Sequence, residues 1–139
     1  MPDGRTHDAI SIVFLPILVA ILYFIGLAIT PIIIISAAYL FASFMFNGDL
    51  DIRSGPYRRW LFLKWIWLPY RNMIPHRSIL SHGLIIGTVV RLLYLGIIPA
   101  VILYFNGFDF TILFNIETLY VLIGLECGSA LHTISDKFF

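Results

Sequence analysis

The sequence predicts an all-α integral membrane protein: a four-helix transmembrane bundle with a Trp-rich helix lying at the membrane interface. Three observations lead there. The chain is 60% hydrophobic and only 12% charged, whereas a soluble domain of this size carries about 25% charge. Residues 9–46 contain no Asp, Glu, Lys, Arg or His, and a spanning helix needs roughly 20 such residues. The remaining polar residues gather in a few short stretches between apolar runs rather than in an amphipathic pattern.

As one helix, residues 9–46 would measure about 57 Å, nearly twice the hydrocarbon thickness. The run therefore folds back. Gly26 and Pro31 in "GLAITP" supply the break, because proline lacks the N–H of a helix interior and suits a helix start. The first helix is expected near 9–29, kinked at Pro16, and the second near 31–46. The second is roughly 24 Å long, short for a full span, which places "NGDLD" after it at the interface. "YRRWLFLKWIWLPYR", residues 57–71, mixes Trp and Tyr with cations that snorkel outward. It reads as a short helix on the membrane surface, an anchor or, more specifically, a recogniser of lipid headgroups. A third span is expected from Gly83 to Phe105, interrupted at Pro99, with "NGFDF" as the return turn. A fourth spans about 114–135. Residues 1–139 form one membrane domain, and the N-terminal apolar run suits a retained anchor rather than a cleaved signal.

Orientation follows from the cations. Seven of the nine Lys and Arg are Arg5, Arg53, Arg58, Arg59, Lys64, Arg71 and Arg77, all in the N-terminal segment or the 47–82 loop. The positive-inside rule puts that loop and both termini in the cytoplasm, at a bacterial inner membrane or its equivalent. So few charges cannot track nucleic-acid phosphates, and that class is excluded. Cys127 is the single cysteine. It has no disulfide partner within the chain and reads as a small core residue.

Groups able to bind a metal lie at the ends of these helices on one face. His7 and Asp8 precede the first helix, with Asp3 nearby. Asp49 and Asp51 follow the second, His76 and His82 lead into the third, and His132 and Asp136 close the fourth. "HTISD" sets His132 and Asp136 one helical turn apart, about 6 Å. "DLD" sets two carboxylates two residues apart. Either spacing alone is common. Four such pieces, one per helix end, suit a mixed nitrogen and oxygen site for zinc, a similar divalent metal, or a pair of ions. A Ser–His–Asp hydrolase fits less well. There is no G-x-S-x-G elbow, and in a continuous helix Ser81 cannot point at its neighbour His82. Arg91 and Glu126 lie at matching depths inside the third and fourth spans. Buried membrane charges pair, so an Arg91–Glu126 ion pair is expected, with direct metal ligation by Glu126 the competing reading.

Taken in order, "GRTHD", "GDLD", "RRWLFLKWIWLPYR", "IPHRSILSHG" and "GSALHTISD" resemble a bacterial family of small metal-binding membrane proteins. More distantly they resemble the YdjM-like inner-membrane metal-dependent hydrolases, whose N-terminal His, PDxD loop, HR…H segment and HxxxD they share. The same logic is similar to the helical zinc-dependent phospholipase C group. That resemblance implies His7, Asp49 or Asp51, His82, His132 and Asp136 as metal ligands, and His76 and Arg77 as the HR pair. Gly48 stands where the PDxD loop has Pro, and the His76–His82 spacing is one residue longer, so either His is a ligand candidate. The function implied is hydrolysis of a phosphoester or lipid at the membrane surface, with Arg77 steadying the phosphate or anchoring to headgroups. The runner-up is a non-catalytic metal-binding structural or accessory subunit, in a homo-oligomer or larger membrane complex. Gly124 and Gly128 in "GLECG" permit close helix contact within the chain or with such a partner. A transporter is the weakest class, since no inverted repeat is visible.

Overall fold

The computed structural model describes residues 4–138; Asp3 and the two chain ends lie outside the described residues. Two long helices open the fold, α1 (Gly4–Phe24) and α2 (Ile29–Met45). Helix α1 starts and stops about one turn earlier than expected, so His7 lies inside it. A glycine C-cap ends it: Gly26 takes φ 88°, and Gly26 N–H and Leu27 N–H donate to Tyr23 O and Leu22 O. These two bonds satisfy carbonyls the helix leaves open.

After α2 a 3-10 turn, Gly48–Asp51, is capped by Asn47, whose side chain accepts from Asp49 N–H. The expected single surface helix at 57–71 is instead three short pieces: α3 (Gly55–Arg59), a 3-10 turn Leu61–Ile66 and α4 (Trp67–Met73). Packing wins over surface lay-down because Trp67 and Tyr70 turn inward. Trp67 is wholly buried against Phe46, Trp60, Tyr70 and Tyr94, while Leu61, Phe62 and Trp65 stay exposed.

The segment expected to open the third span at Gly83 is also broken. One helical turn, α5 (Ile79–His82), stops at Gly83, and α6 (Ile86–Phe105) begins after Ile85 at φ 63°. Helix α6 runs on through Pro99 without interruption. A 3-10 turn, Phe110–Leu113, then leads to α7 (Ile116–Phe138). Among the described residues, three stretches are long and apolar enough to cross a membrane: Gly4–Phe24, Ile29–Asp51 and Ile86–Phe105. Helix α7 is the more polar one, with Glu117, Glu126, His132, Asp136 and Lys137 along it.

Helix α7 packs closely on α2, and glycine makes the contact possible. A Cβ on Gly124 would lie 2.4 Å from Ile35 O and 2.6 Å from the Ala38 Cβ; on Gly128 it would lie 2.5 Å from Tyr39 O. The Gly-x-x-x-Gly pair is therefore used inside the chain, as small residues are where helix backbones approach. Tyr39, with no exposed surface, also donates from its hydroxyl to Ser11 O of α1 at 2.8 Å. Helix α2 is thus the central strut between α1 and α7.

Overpacking a close helix contact costs about 1–3 kcal/mol. Gly124→Leu and Gly128→Leu are each expected to lower the detergent unfolding midpoint and the monodisperse yield. Gly96→Leu, at a position with nothing within 4 Å, should leave both unchanged. Equal behaviour of all three variants in a thermal-unfolding assay would show that the seam is not tight.

Candidate metal centre

The site draws on the long helices α1 and α7 and on the short pieces that follow α2 and precede α6. Helix α1 contributes His7 from its first turns, buried to 7% exposure. The 3-10 turn contributes Asp49 and Asp51, and α5 ends in His82. Helix α7 contributes His132 and Asp136, one turn apart.

Asp49, His82, His132 and Asp136 each offer one atom to a group within 4.8 Å. His82 Nε2 lies 3.6 Å from both Asp49 Oδ1 and Asp136 Oδ2. His132 Nε2 lies 3.4 Å from Asp49 Oδ1 and 3.8 Å from Asp136 Oδ2. These separations exceed the 2.7–3.2 Å of N–H···O hydrogen bonds. A four-coordinate divalent ion with bonds of ~2.0–2.2 Å holds its donors about 3.3–3.6 Å apart. In addition, His82 Nε2, His132 Nε2 and Asp136 Oδ2 are buried with no hydrogen-bond partner among the described residues. Buried polar atoms are normally paired, so three partnerless ones beside a second carboxylate fit a cation held between them.

Outer contacts hold these four residues. His7 Nε2 is 3.1 Å from Asp136 Oδ1, and its Nδ1 is 2.8 Å from Ser135 Oγ; its ring lies 4.4 Å from that of His132. Asp51, 5% exposed, sits behind His82, with Oδ2 3.7 Å from His82 Nδ1 and Oδ1 2.8 Å from His76 Nδ1. Carboxylates behind ligating imidazoles fix ring orientation and raise basicity. Asp51, His76 and His82 also form a second potential metal group. A neutral imidazole offers only one lone pair, so His82 serves one group at a time. The partnerless Nε2 favours the first. Of the two histidines left open by the sequence, His82 faces the four-atom group, and His76 stands a layer behind.

Several expected roles fall elsewhere. Asp8 is bound by both guanidinium nitrogens of Arg59 and belongs to neither group. Glu126 is also outside both: its Oε1 accepts from Ile85 N–H at 2.8 Å. Nor does it pair with Arg91. The wholly buried Arg91 donates to Ser81 O at 2.6 Å and Thr88 Oγ1 at 3.2 Å, and also to Ser129 Oγ, with its guanidinium over Phe46. Local oxygens take up its two terminal nitrogens, Nε has no hydrogen-bond partner among the described residues, and the side chain clamps α5 to α6 and α7. Ser81 Oγ lies 2.9 Å from His82 Nδ1, against the expectation that neighbours could not meet. The reason is that α5 lasts only one turn. Ser81 is 1% exposed, so it supports His82 rather than meeting a substrate. Arg77, at φ 60°, reaches within 3.9 Å of Asp136 Oδ1 with its side chain 44% exposed.

Sequence reasoning named Gly48 only as a departure from the PDxD loop, and it missed Ser135 and Ser129. A Cβ on Gly48 would lie 2.8 Å from the His82 ring, so glycine lets the acidic turn pass under a candidate ligand. Ser135 was visible as the residue three past His132. Nothing in the sequence marked Ser129.

The fold and site define a helical protein with candidate membrane spans and a candidate His/Asp metal centre. The family comparison agrees on metal binding. Residues 2–120 match the family described as "Uncharacterized metal-binding protein (DUF2227)", and the chain belongs to it. It is also 31% identical over 119 residues to an uncharacterized protein of Aquifex aeolicus (strain VF5), covering 70% of this chain and 84% of that relative. No solved structure matches. The family match includes His7, Asp49, Asp51, His76 and His82 and stops short of His132 and Asp136.

Elemental analysis of protein purified without chelator tests the geometry. His82→Ala and His132→Ala are expected to lose most of the bound metal. His76→Ala, acting through Asp51, should weaken affinity about 10–100-fold while keeping stoichiometry at excess metal. Asp8→Asn should change neither. Full metal content in the His132 variant would remove that residue from the ligand set.

Proposed function

We propose that the protein is a membrane-embedded, metal-dependent hydrolase of a phosphoester or lipid substrate. In this reading α7 is a fourth span, and both termini and the 47–82 loop face the cytoplasm. The observation behind it is a cleft of about 310 Å³ alongside the metal group, lined by Arg77, His82, Leu84, Thr133, Asp136 and Lys137. Two candidate ligands and two cations thus share one wall, as an anionic ester at a metal would require.

Asp49, His82, His132 and Asp136 would hold the ion, most suitably zinc given two imidazoles and two carboxylates. When bound, such an ion supplies Lewis acidity and a water acidified toward neutrality. The chain's own residues supply the rest. Arg77 presents a planar fork to two phosphate oxygens, with Lys137 as a second charge. His7 holds the outer oxygen of Asp136, so that its Oδ2 keeps its aim. His76, partly exposed, holds a proton at Nδ1 for Asp51 and keeps its other nitrogen for exchange at the surface.

One observation favours the non-catalytic reading. Four protein atoms lie close enough together to supply all four ligands of a structural zinc site, whereas catalytic sites keep a position open. In that reading the ion pins α2, α5 and α7 together, alone or within a larger membrane complex.

The assay uses metal-loaded protein in phospholipid vesicles and in detergent with a phosphodiester. A phosphorylated headgroup should be released from the vesicles, and a phosphomonoester and an alcohol from the soluble diester. Arg77→Gln is expected to reduce kcat/KM by about 10–100-fold, the loss of a charge-assisted contact of 1.5–3 kcal/mol, with metal content unchanged. A stoichiometrically loaded wild type that hydrolyses neither substrate would leave the structural reading in place.

A further inference from the structure

Asp8 and Arg59 belong to no metal group, yet their pairing shapes the surface. It ties α3 to α1, and residues of both elements line a second cleft of about 440 Å³. Three arginines stand in it, Arg5 from α1 and Arg58 and Arg59 from α3. Asp49 lines it too, with Oδ1 3.6 Å from His82 Nε2 and 3.4 Å from His132 Nε2. This cleft and the one at Arg77 and Lys137 have no lining residue in common. Both touch the four-atom metal group, one through Asp49 and the other through His82 and Asp136.

The charges around this cleft do not cancel. Arg59 is committed to Asp8 and to the Phe44 carbonyl. A divalent ion in the metal group would take up the charges of Asp49 and Asp136. Arg5 and Arg58 then remain. Both are exposed, and neither guanidinium has an ion pair or hydrogen bond among the described residues. Charges of one sign gathered in a cleft focus the local potential and draw in an anion. Two planar forks best suit an oxyanion with several oxygens to share. A carboxylate brings one charge and satisfies one fork. A terminal phosphoryl group brings about −1.5 to −2 near neutrality and three acceptor oxygens.

We propose that this cleft binds a phosphoryl oxyanion, either inorganic phosphate or a terminal phosphate monoester, between Arg5 and Arg58, and that it fills more tightly when the metal group is loaded. The proposal rests on the metal group and not on hydrolysis. Coupling of this kind is reciprocal, so the anion would tighten the metal in turn.

The test is phenylglyoxal modification of individual arginines in the full chain, mapped by mass spectrometry at constant ionic strength. Two probes separate the sources of the anion. One is inorganic phosphate added to protein in a phosphate-free detergent. The other is phosphatidic acid introduced into phosphatidylcholine nanodiscs. Arg5 and Arg58 should be protected together, while Arg53, exposed on the same loop and outside the cleft, stays reactive. Protection by inorganic phosphate assigns a soluble ligand, and protection by phosphatidic acid alone assigns a lipid headgroup. Arg58→Gln should raise the concentration of the effective probe needed to protect Arg5 about 10–100-fold, as loss of a charge-assisted contact would, with metal content unchanged. Stripping the metal should raise it severalfold in the wild type. Failure of both probes to protect Arg5 and Arg58, or equal protection of Arg53, would overturn the site. Equal protection in stripped and loaded protein would overturn its coupling to the metal. Occupancy is read without turnover. Protection in a loaded protein that hydrolyses nothing therefore upholds this site and rejects the hydrolase, and hydrolysis with both arginines unprotected does the reverse.

Discussion

Two carboxylates and two imidazoles, drawn from three distant parts of the chain, meet at separations of 3.4–3.8 Å. That spacing is too long for hydrogen bonds, and with all four ligand atoms within 4.8 Å of one another Asp49 and Asp136 repel strongly if nothing positive stands between them. Charges removed from water need partners. The rest of the architecture can be read as the means of holding these atoms at that spacing.

Three devices do so. The glycines of α7 let its backbone lie against α2, which sets His132 and Asp136 against the acidic turn that ends α2. Arg91, wholly buried, grips the carbonyl of Ser81 and so fixes the single turn that carries His82. Helix α1 closes the ring with His7, which takes the outer oxygen of Asp136. A rigid outer layer of this kind is what keeps a metal site within its working geometry. The aromatic core of Phe46, Trp67 and Tyr70 underlies the same end of the bundle, so the buried aromatic area and the polar site support each other.

Much of this was legible in the sequence. The long uncharged run gave the helices, and the one-turn spacing of His132 and Asp136 marked a shared helix face. The placement of every histidine at one set of helix ends drew the site together. What was not legible depended on tertiary contacts. Nothing local reveals that Arg59 captures Asp8, or that the terminal nitrogens of Arg91 turn to Ser81, Thr88 and Ser129 rather than to Glu126. The break between α5 and α6 was also hidden. Its Ile85 carries the wrong local preference for a left-handed turn, and it is the contact with Glu126 that holds it. The inward turn of Trp67 likewise reflects packing against Phe46 and Tyr94, which lie far off in sequence. Aromatic composition alone suggested a surface helix.

Family membership establishes a metal-binding class, and the separations within the four-atom group say how this chain would meet it. X-ray absorption at the edge of the metal that co-purifies with the protein addresses that claim most directly. The account predicts four nitrogen and oxygen scatterers near 2.0–2.2 Å, with outer-shell scattering from two imidazoles that falls to one in His132→Ala. A site of six oxygens at longer distance, or an imidazole signal unchanged by that substitution, would contradict it.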